Sequence, residues 1–360
     1  MQTNFLTIDS FLLSYQEFWR QDPFYLCQKD SVSWQNTSPE LVHWLDDLSH
    51  QDVIDLKEHS DRLVTCLSRF FPGLNEMVTL ASLPRVNLTG LTLSRNTSLG
   101  VPGRKLEQIL AMGESALSDH YGSEWLEWCS GKGFLGRILA QQSEQKVTSF
   151  EWQRSLCDSG QEIADAQHLN MTFVQGDAFS SSSQRVFNSN QHAVALHACG
   201  DLHVKLLQNC VAHQLPAVTI SPCCYHLIQD ESYQALSLLA QRSQLALSKA
   251  DLRIPLQETV TGGERVKRHR QLEMIYRLGF SALLKGELAV GEYVPVPSIK
   301  KSQLDDGFQA FCEWAAAKKS LELPNVEFEQ YRQNSGLLLP KLWGKIPDSN
   351  PSAIAPNNDG

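Results

Sequence analysis

From about residue 123 the chain alternates short apolar or β-branched runs with stretches of helical periodicity, and this alternation restricts its fold most. The runs cover residues 125–129, 147–152, 171–174, 193–197 and 217–220, and the helical stretches between and after them cover 134–142, 153–168, 202–213 and 232–246. Parallel strands need crossover connections, and a helix is the usual one. The expected fold is therefore α/β, with a doubly wound, mostly parallel sheet and an N-terminal helical region.

The first 120 residues read as helices. Phe11, Leu12, Tyr15 and Phe18 recur at helical spacing. Ser38-Pro39-Glu40 opens a second stripe through Leu41, Trp44 and Leu45, with proline in the first turn as a helix start prefers. Leu106, Ile109, Leu110 and Leu117 form a third. Beyond residue 247, 280–284 and 292–297 read as late strands and 308–317 as an amphipathic helix. The expected division is a helical region (1–120), the sheet domain (121–300), a helical extension (301–346) and a disordered tail (347–360) rich in Pro, Ser, Asn and Asp.

An apolar fraction of 42% with 20% charged residues describes a globular protein, neither disordered nor membrane-embedded. The first residues lack a signal peptide's basic start and apolar run, so a soluble, cytoplasmic protein is expected. Nine cysteines, odd in number and scattered, read as reduced thiols. A net charge of −9 disfavours broad binding to nucleic acid. The run Glu264-Arg265-Val266-Lys267-Arg268-His269-Arg270 is a local basic patch or simply a solvated helix face.

Open α/β sheets bind ligands beyond the carboxyl ends of their strands. The first strand runs out through Glu127, Cys129, Ser130, Gly131 and Gly133, small residues that permit a tight turn and close backbone approach to a ligand. A helix N-terminus follows, suited to an anionic group. The spacing is neither that of a P-loop nor of the dinucleotide motif, where Cys129 would have to be glycine. The second strand ends at Glu151-Trp152, twenty-four residues after Glu127. A carboxylate there can accept both hydroxyls of a ribose, and the indole can cover an adenine face. The third ends at Gly176-Asp177-Ala178, where Asp177 can accept from an adenine amine or merely form a turn. The fourth and fifth end in His197-Ala198-Cys199-Gly200-Asp201 and Pro222-Cys223-Cys224-Tyr225-His226.

At these residues the sequence resembles a class I methyltransferase dependent on S-adenosylmethionine (SAM). Residues 127–133 are similar to the first nucleotide motif of that family, Glu151 to its ribose acid and Asp177 to its adenine-contacting acid. The two late segments resemble a narrower subgroup, which includes the methyltransferase-like domain of the glutathione-S-transferase-C-terminal-domain-containing protein. They are more distantly similar to tRNA 2′-O-methyltransferases. The resemblance covers roughly residues 100–285 and implies a seven-stranded sheet, SAM as cofactor, and RNA (tRNA or rRNA) as the first choice of acceptor. Protein, a small molecule, or a non-catalytic assembly role are the alternatives. The cofactor residues it implies are Glu127, Cys129, Ser130, Gly131, Gly133, Glu151, Trp152, Asp177, Ala178 and His197. Catalytic candidates, by their positions, are His197 and His226 as bases, Asp201 to orient the acceptor or bind the methionine amine, and Tyr225 to stack on a base or pack beside the methyl group.

Zinc is the competing chemistry at this edge, with His197, Cys199, Cys223, Cys224 and His226 as ligand types. Their spacing fits no standard site, adjacent cysteines rarely share an ion, and the deaminase pattern lacks its glutamate. No metal is expected.

Overall fold

The structure, a computed structural model, describes residues 2–21, 26, 32–91, 103–258 and 264–333. The chain forms two compact units, Met1–Ser82 with Thr259–Gly360, and Leu83–Glu258. The tail from residue 347 lies outside the described residues.

The first unit opens with α1 (Gln2–Ser14), α2 (Gln16–Trp19), α3 (Pro39–Asp47), α4 (His50–Glu58), α5 (Ser60–Leu67) and α6 (Leu74–Ala81). The aromatic stripe of the first two helices closes on Phe71, whose ring centre lies 5.2 Å from that of Tyr15 and 4.9 Å from that of Phe18. Ser49 and Asp52 cap α4 reciprocally, satisfying two amides that the helix cannot.

The second unit holds α7 (Gly103–Ser118) and then the predicted alternation. It runs β1 (Glu124–Trp128), α8 (Phe134–Ser143), β2 (Lys146–Glu151), α9 (Arg154–Ala166), β3 (Met171–Gln175), β4 (Gln191–Leu196), α10 (Asp201–Ala212), β5 (Ala217–Ser221) and α11 (Ile254–Glu258). The five described strands are parallel in the order β3-β2-β1-β4-β5. The order reverses between β1 and β4, which makes the sheet doubly wound and opens a crevice at their carboxyl ends. Period-two alternation sends neighbouring residues into two cores. Trp125, Val147 and Val194 pack with Ile109, Leu135 and Ile138 on one face. Leu126, Trp128, Phe150 and Ala195 pack with Leu206 on the other.

The first unit resumes with α12 (Glu264–Glu287), α13 (Lys301–Leu304) and α14 (Phe308–Lys319), the last on the helix expected at 308–317. Two expected strands are not strands. Residues 280–284 lie within α12, because Tyr276, Phe280, Leu283 and Leu284 form one helical stripe buried against Phe308 and Phe311. Residues 292–297 have no regular structure. Among the described residues the sheet thus has five strands, not seven. The helix expected at 232–246 is also absent, replaced by turns and a short 3₁₀ segment at Ala240–Arg242. Serines divert its backbone: Ser237 Oγ accepts from the Ala240 amide at 3.1 Å, and Ser243 Oγ from the Leu245 amide at 3.0 Å. Of the basic run in α12, Arg268 is exposed and His269 is buried; the side chains of Glu264, Arg265 and Lys267 lie outside the described residues.

Candidate functional site

The turn after β1 takes the left-handed conformation at three of five residues: Cys129 (φ 57°), Gly131 (φ 58°) and Gly133 (φ 68°). Cys129 adopts without glycine's freedom the conformation a glycine would take there, which stores about 1–2 kcal/mol of strain. Burial, assisted by the Glu151 charge, pushes its thiol up to about 12, so it is no nucleophile. The Ser130 amide donates to the Phe150 carbonyl (3.0 Å) and the Gly133 amide to the Ser130 carbonyl (2.9 Å). A Cβ on Gly133 would overlap Phe173, whereas one on Gly131 would meet nothing. The turn is packed on its inner side and open above Gly131.

Glu127, expected among the cofactor residues, sits buried beneath the turn and does not face the open side. Its carboxylate accepts from Ser149 Oγ at 2.7 Å and from the amides of Leu135 and Gly136 at the start of α8. Burial pushes its carboxyl up to about 7, against the pull of those bonds and of Arg137. Arg137 is itself buried, its guanidinium 4.4 Å above the Phe134 ring. Glu127 therefore fixes the shape of the turn from beneath.

Glu151 stands beside the turn. One carboxylate oxygen accepts from the Gly131 amide at 2.9 Å and the other from the Gln153 amide at 3.0 Å. Each oxygen keeps a lone pair for a further donor. Trp152 is 71% exposed, an unusual state for an indole. Asp177 accepts from the Phe179 amide at 2.9 Å, the turn bond foreseen for it, while Ala178 is buried. Ser130 Oγ is enclosed and has no hydrogen-bond partner.

The two late motifs meet as one structure. β4 and β5 pair through Leu196 and Ser221, so both chains leave the sheet side by side. Beyond them the Gly200 amide donates to the Cys223 carbonyl (3.3 Å) and the Asp201 amide to the Leu227 carbonyl (3.0 Å). The Gln229 amide donates to the Asp201 carboxylate (2.7 Å). A Cβ on Gly200 would overlap the Leu227 carbonyl, and its φ of 53° with ψ of −129° suits glycine alone. The loop after β5 is thus tied to the N-terminus of α10 through its own carbonyls.

On this rim His197 (φ 64°) has both ring nitrogens engaged. Nε2 donates to Gln108 Oε1 at 3.1 Å, and Nδ1 lies 3.5 Å from Cys223 Sγ. Cys199 Sγ lies 3.1 Å from Cys223 Sγ, and the sulfurs of Cys199, Cys223 and Cys224 all fall within 4.8 Å of one another. Burial raises the thiols of Cys199 and Cys223 above the ordinary range. His226 Nδ1 is buried without a partner. Tyr225 is 42% exposed, its ring edge-on to His203. A cleft of about 330 Å³ adjoins, lined by Asp201, Phe179, Lys205, Gln208, Asp230 and Tyr233. Sequence reasoning missed Ser149, which only its alternate position on β2 could have marked, and Gln108, which a helical stripe gives no reason to single out.

Residues 104–231 match the model of a methyltransferase domain family. The glutathione S-transferase C-terminal domain-containing protein of Xenopus laevis is 31% identical over 113 residues, which is 30% of this chain and 17% of that protein. Among solved structures, the fold is similar to coclaurine N-methyltransferase bound to N-methylheliamine and SAH (13% identity, 86% of this chain, 95% of the other, TM-score 0.29). It is also similar to the 23S rRNA methyltransferase ErmE (14% identity, 66% and 97%, TM-score 0.26). The relative identified by sequence is of the subgroup that the two late motifs resemble, it is matched over 17% of its length, and the methyltransferase domain model matches residues 104–231.

Proposed function

We propose that the domain transfers a methyl group from SAM to RNA. The observation that carries the cofactor reading is the hydrogen bond between Gly131 and Glu151, which joins the open glycine turn to the carboxylate at the next strand end. The residues fit the cofactor. Open space above Gly131 and the unpartnered Ser130 Oγ suit its polar end, Glu151 has lone pairs for ribose hydroxyls, and exposed Trp152 with Asp177 and Ala178 suits the adenine. SAM supplies a methyl group already activated on a sulfonium, so the chain's task is alignment and exclusion of water.

His197 is occupied on both nitrogens, which leaves His226 as the group to take the proton of an oxygen acceptor. Asp201, fixed by the Gln229 amide, orients the acceptor, and exposed Tyr225 stacks on a base. The neighbouring cleft is within the range of small-ligand sites, enough for one residue of a larger acceptor. The resemblance of the late motifs to tRNA 2′-O-methyltransferases favours RNA as acceptor. The acidic net charge of −9 favours a protein or small-molecule acceptor as the second reading.

Calorimetry with SAM tests the cofactor step. Binding is expected, weakened about tenfold or more in Glu151→Ala, a loss of the order of one charge-assisted hydrogen bond. No detectable binding to the folded wild-type protein sinks the enzyme reading. Labelled methyl transfer to fractionated RNA, protein and small molecules from cells lacking the protein then identifies the acceptor. Unchanged turnover in a His226 variant removes that residue as the base.

A further inference from the structure

We propose that Cys199, Cys223, Cys224 and His197 form a closed site for one thiophilic divalent cation, zinc by preference, at the carboxyl ends of β4 and β5. Spacing along the sequence argues against such a site, because adjacent residues in extended chain point to opposite sides. The backbone removes that objection: Cys224 is left-handed at φ 48°, which breaks the alternation after Cys223. All three sulfurs consequently lie within 4.8 Å of one another. Four ligands around zinc at about 2.3 Å place sulfurs about 3.8 Å apart. The observed 3.1 Å between Cys199 and Cys223 needs only a small opening to reach that spacing.

The fourth ligand stands beside the cluster: His197 lies outside the group of atoms mutually within 4.8 Å and touches it through Cys223, so its ring must shift to complete the site. Gln108 Oε1 accepts from His197 Nε2, which fixes the proton there and leaves the Nδ1 lone pair 3.5 Å from Cys223 Sγ. A ligating imidazole that donates its other N–H to an oxygen is the usual outer arrangement of a metal-bound histidine. The two non-glycine residues strained into the left-handed region on this rim, His197 and Cys224, are both in the set. Strain concentrates where function requires it. A Cys199–Cys223 disulfide would explain the shortest distance but not the third sulfur, the oriented imidazole or Gln108.

Three thiolates and one nitrogen fill a tetrahedral ion and leave no open position, as in structural zinc sites. The ion joins the exits of two strands and takes no part in methyl transfer. The site therefore stands or falls independently of the cofactor reading.

The test uses the full chain, purified under reducing conditions without chelator. Elemental analysis is expected to find one zinc per chain. Chelation is expected to make three further cysteines available to an alkylating probe, identified by peptide mapping as 199, 223 and 224. Cobalt(II) added to the stripped protein should give tetrahedral d–d and thiolate charge-transfer bands. Gln108→Leu is expected to weaken cobalt binding about tenfold or more, whereas Cys66→Ser leaves it unchanged. Reactive thiols at all three positions without chelation, together with no cobalt spectrum, overturn the proposal. So does a Cys199–Cys223 disulfide in the reduced preparation. Neither of these measurements depends on a variant folding.

Discussion

At the scale of single residues, Gly200 and Glu127 do the most to shape the rim. Gly200 combines a conformation that only glycine tolerates with contact on the Leu227 carbonyl. Gly200→Ala is expected to destabilise the protein by about 3 kcal/mol or more, read from the denaturant midpoint at unchanged slope. Glu127 makes a different prediction, about pH. Its carboxyl sits at about 7 when folded, against 4.5 in the open chain. Between these values the folded state keeps a proton that the unfolded state has released, so Glu127 lowers stability as pH rises through that window. The full effect is about 3 kcal/mol, and Glu127→Gln should abolish it in stability profiles measured from pH 4 to 8. Neither role was legible in the sequence. Glu127 stood in the expected motif, but only the fold shows that its carboxylate turns toward α8. Gly200 was visible as a residue in a motif, without the carbonyl that requires it.

At the scale of elements, buried His192 of β4 sits in a partly buried polar chain. Thr219 Oγ1 donates to His192 Nε2 (2.8 Å), His192 Nδ1 to His120 Nδ1 (3.1 Å), and His120 Nε2 to Gln145 Oε1 (2.7 Å). Trp125 stacks on both rings. Burial, with the neighbouring His120, holds the His192 imidazole down at about 4, against 6.5 in the open chain. Between pH 6.5 and 4 the unfolded state binds the proton that the folded state refuses, so this chain loses stability on acidification. Glu127 has the opposite slope over most of that window, and the two partly cancel in the native protein. Glu127→Gln should unmask the acid-side loss, and adding His192→Asn should flatten the profile again, both followed by urea unfolding. The elements themselves were largely legible. Five runs of apolar and β-branched residues became five parallel strands; β1, β2 and β4 are buried on both faces and carry that signal continuously, while the edge strands β3 and β5 are only partly buried. The reading failed where a short window hid a longer period, at 280–284, and where serine side chains competed for the backbone, at 232–246. The cysteine cluster was read as residue types but not as a site, because its assembly depends on one left-handed residue.

At the scale of the molecule, 40 acidic against 31 basic residues set how an RNA acceptor could be bound. Such a surface provides little counterion release, so affinity for bulk RNA should be undetectable by filter retention at about 0.15 M salt. Binding confined to one RNA species, with a shallow salt dependence, is the expected result; retention of all species with a steep dependence contradicts it. Among the described residues no helix is long and apolar enough to cross a membrane. The tie between the loop after β5 and the first turn of α10 also bears on kinetics. A lid must exchange few and weak bonds to open on the timescale of turnover. This half of the rim is held by three backbone-amide bonds, to the Cys223 and Leu227 carbonyls and from Gln229 to Asp201, over a glycine with no room to move. It behaves as a doorframe, and whatever swings to admit substrate and release product must hang from another part of the crevice.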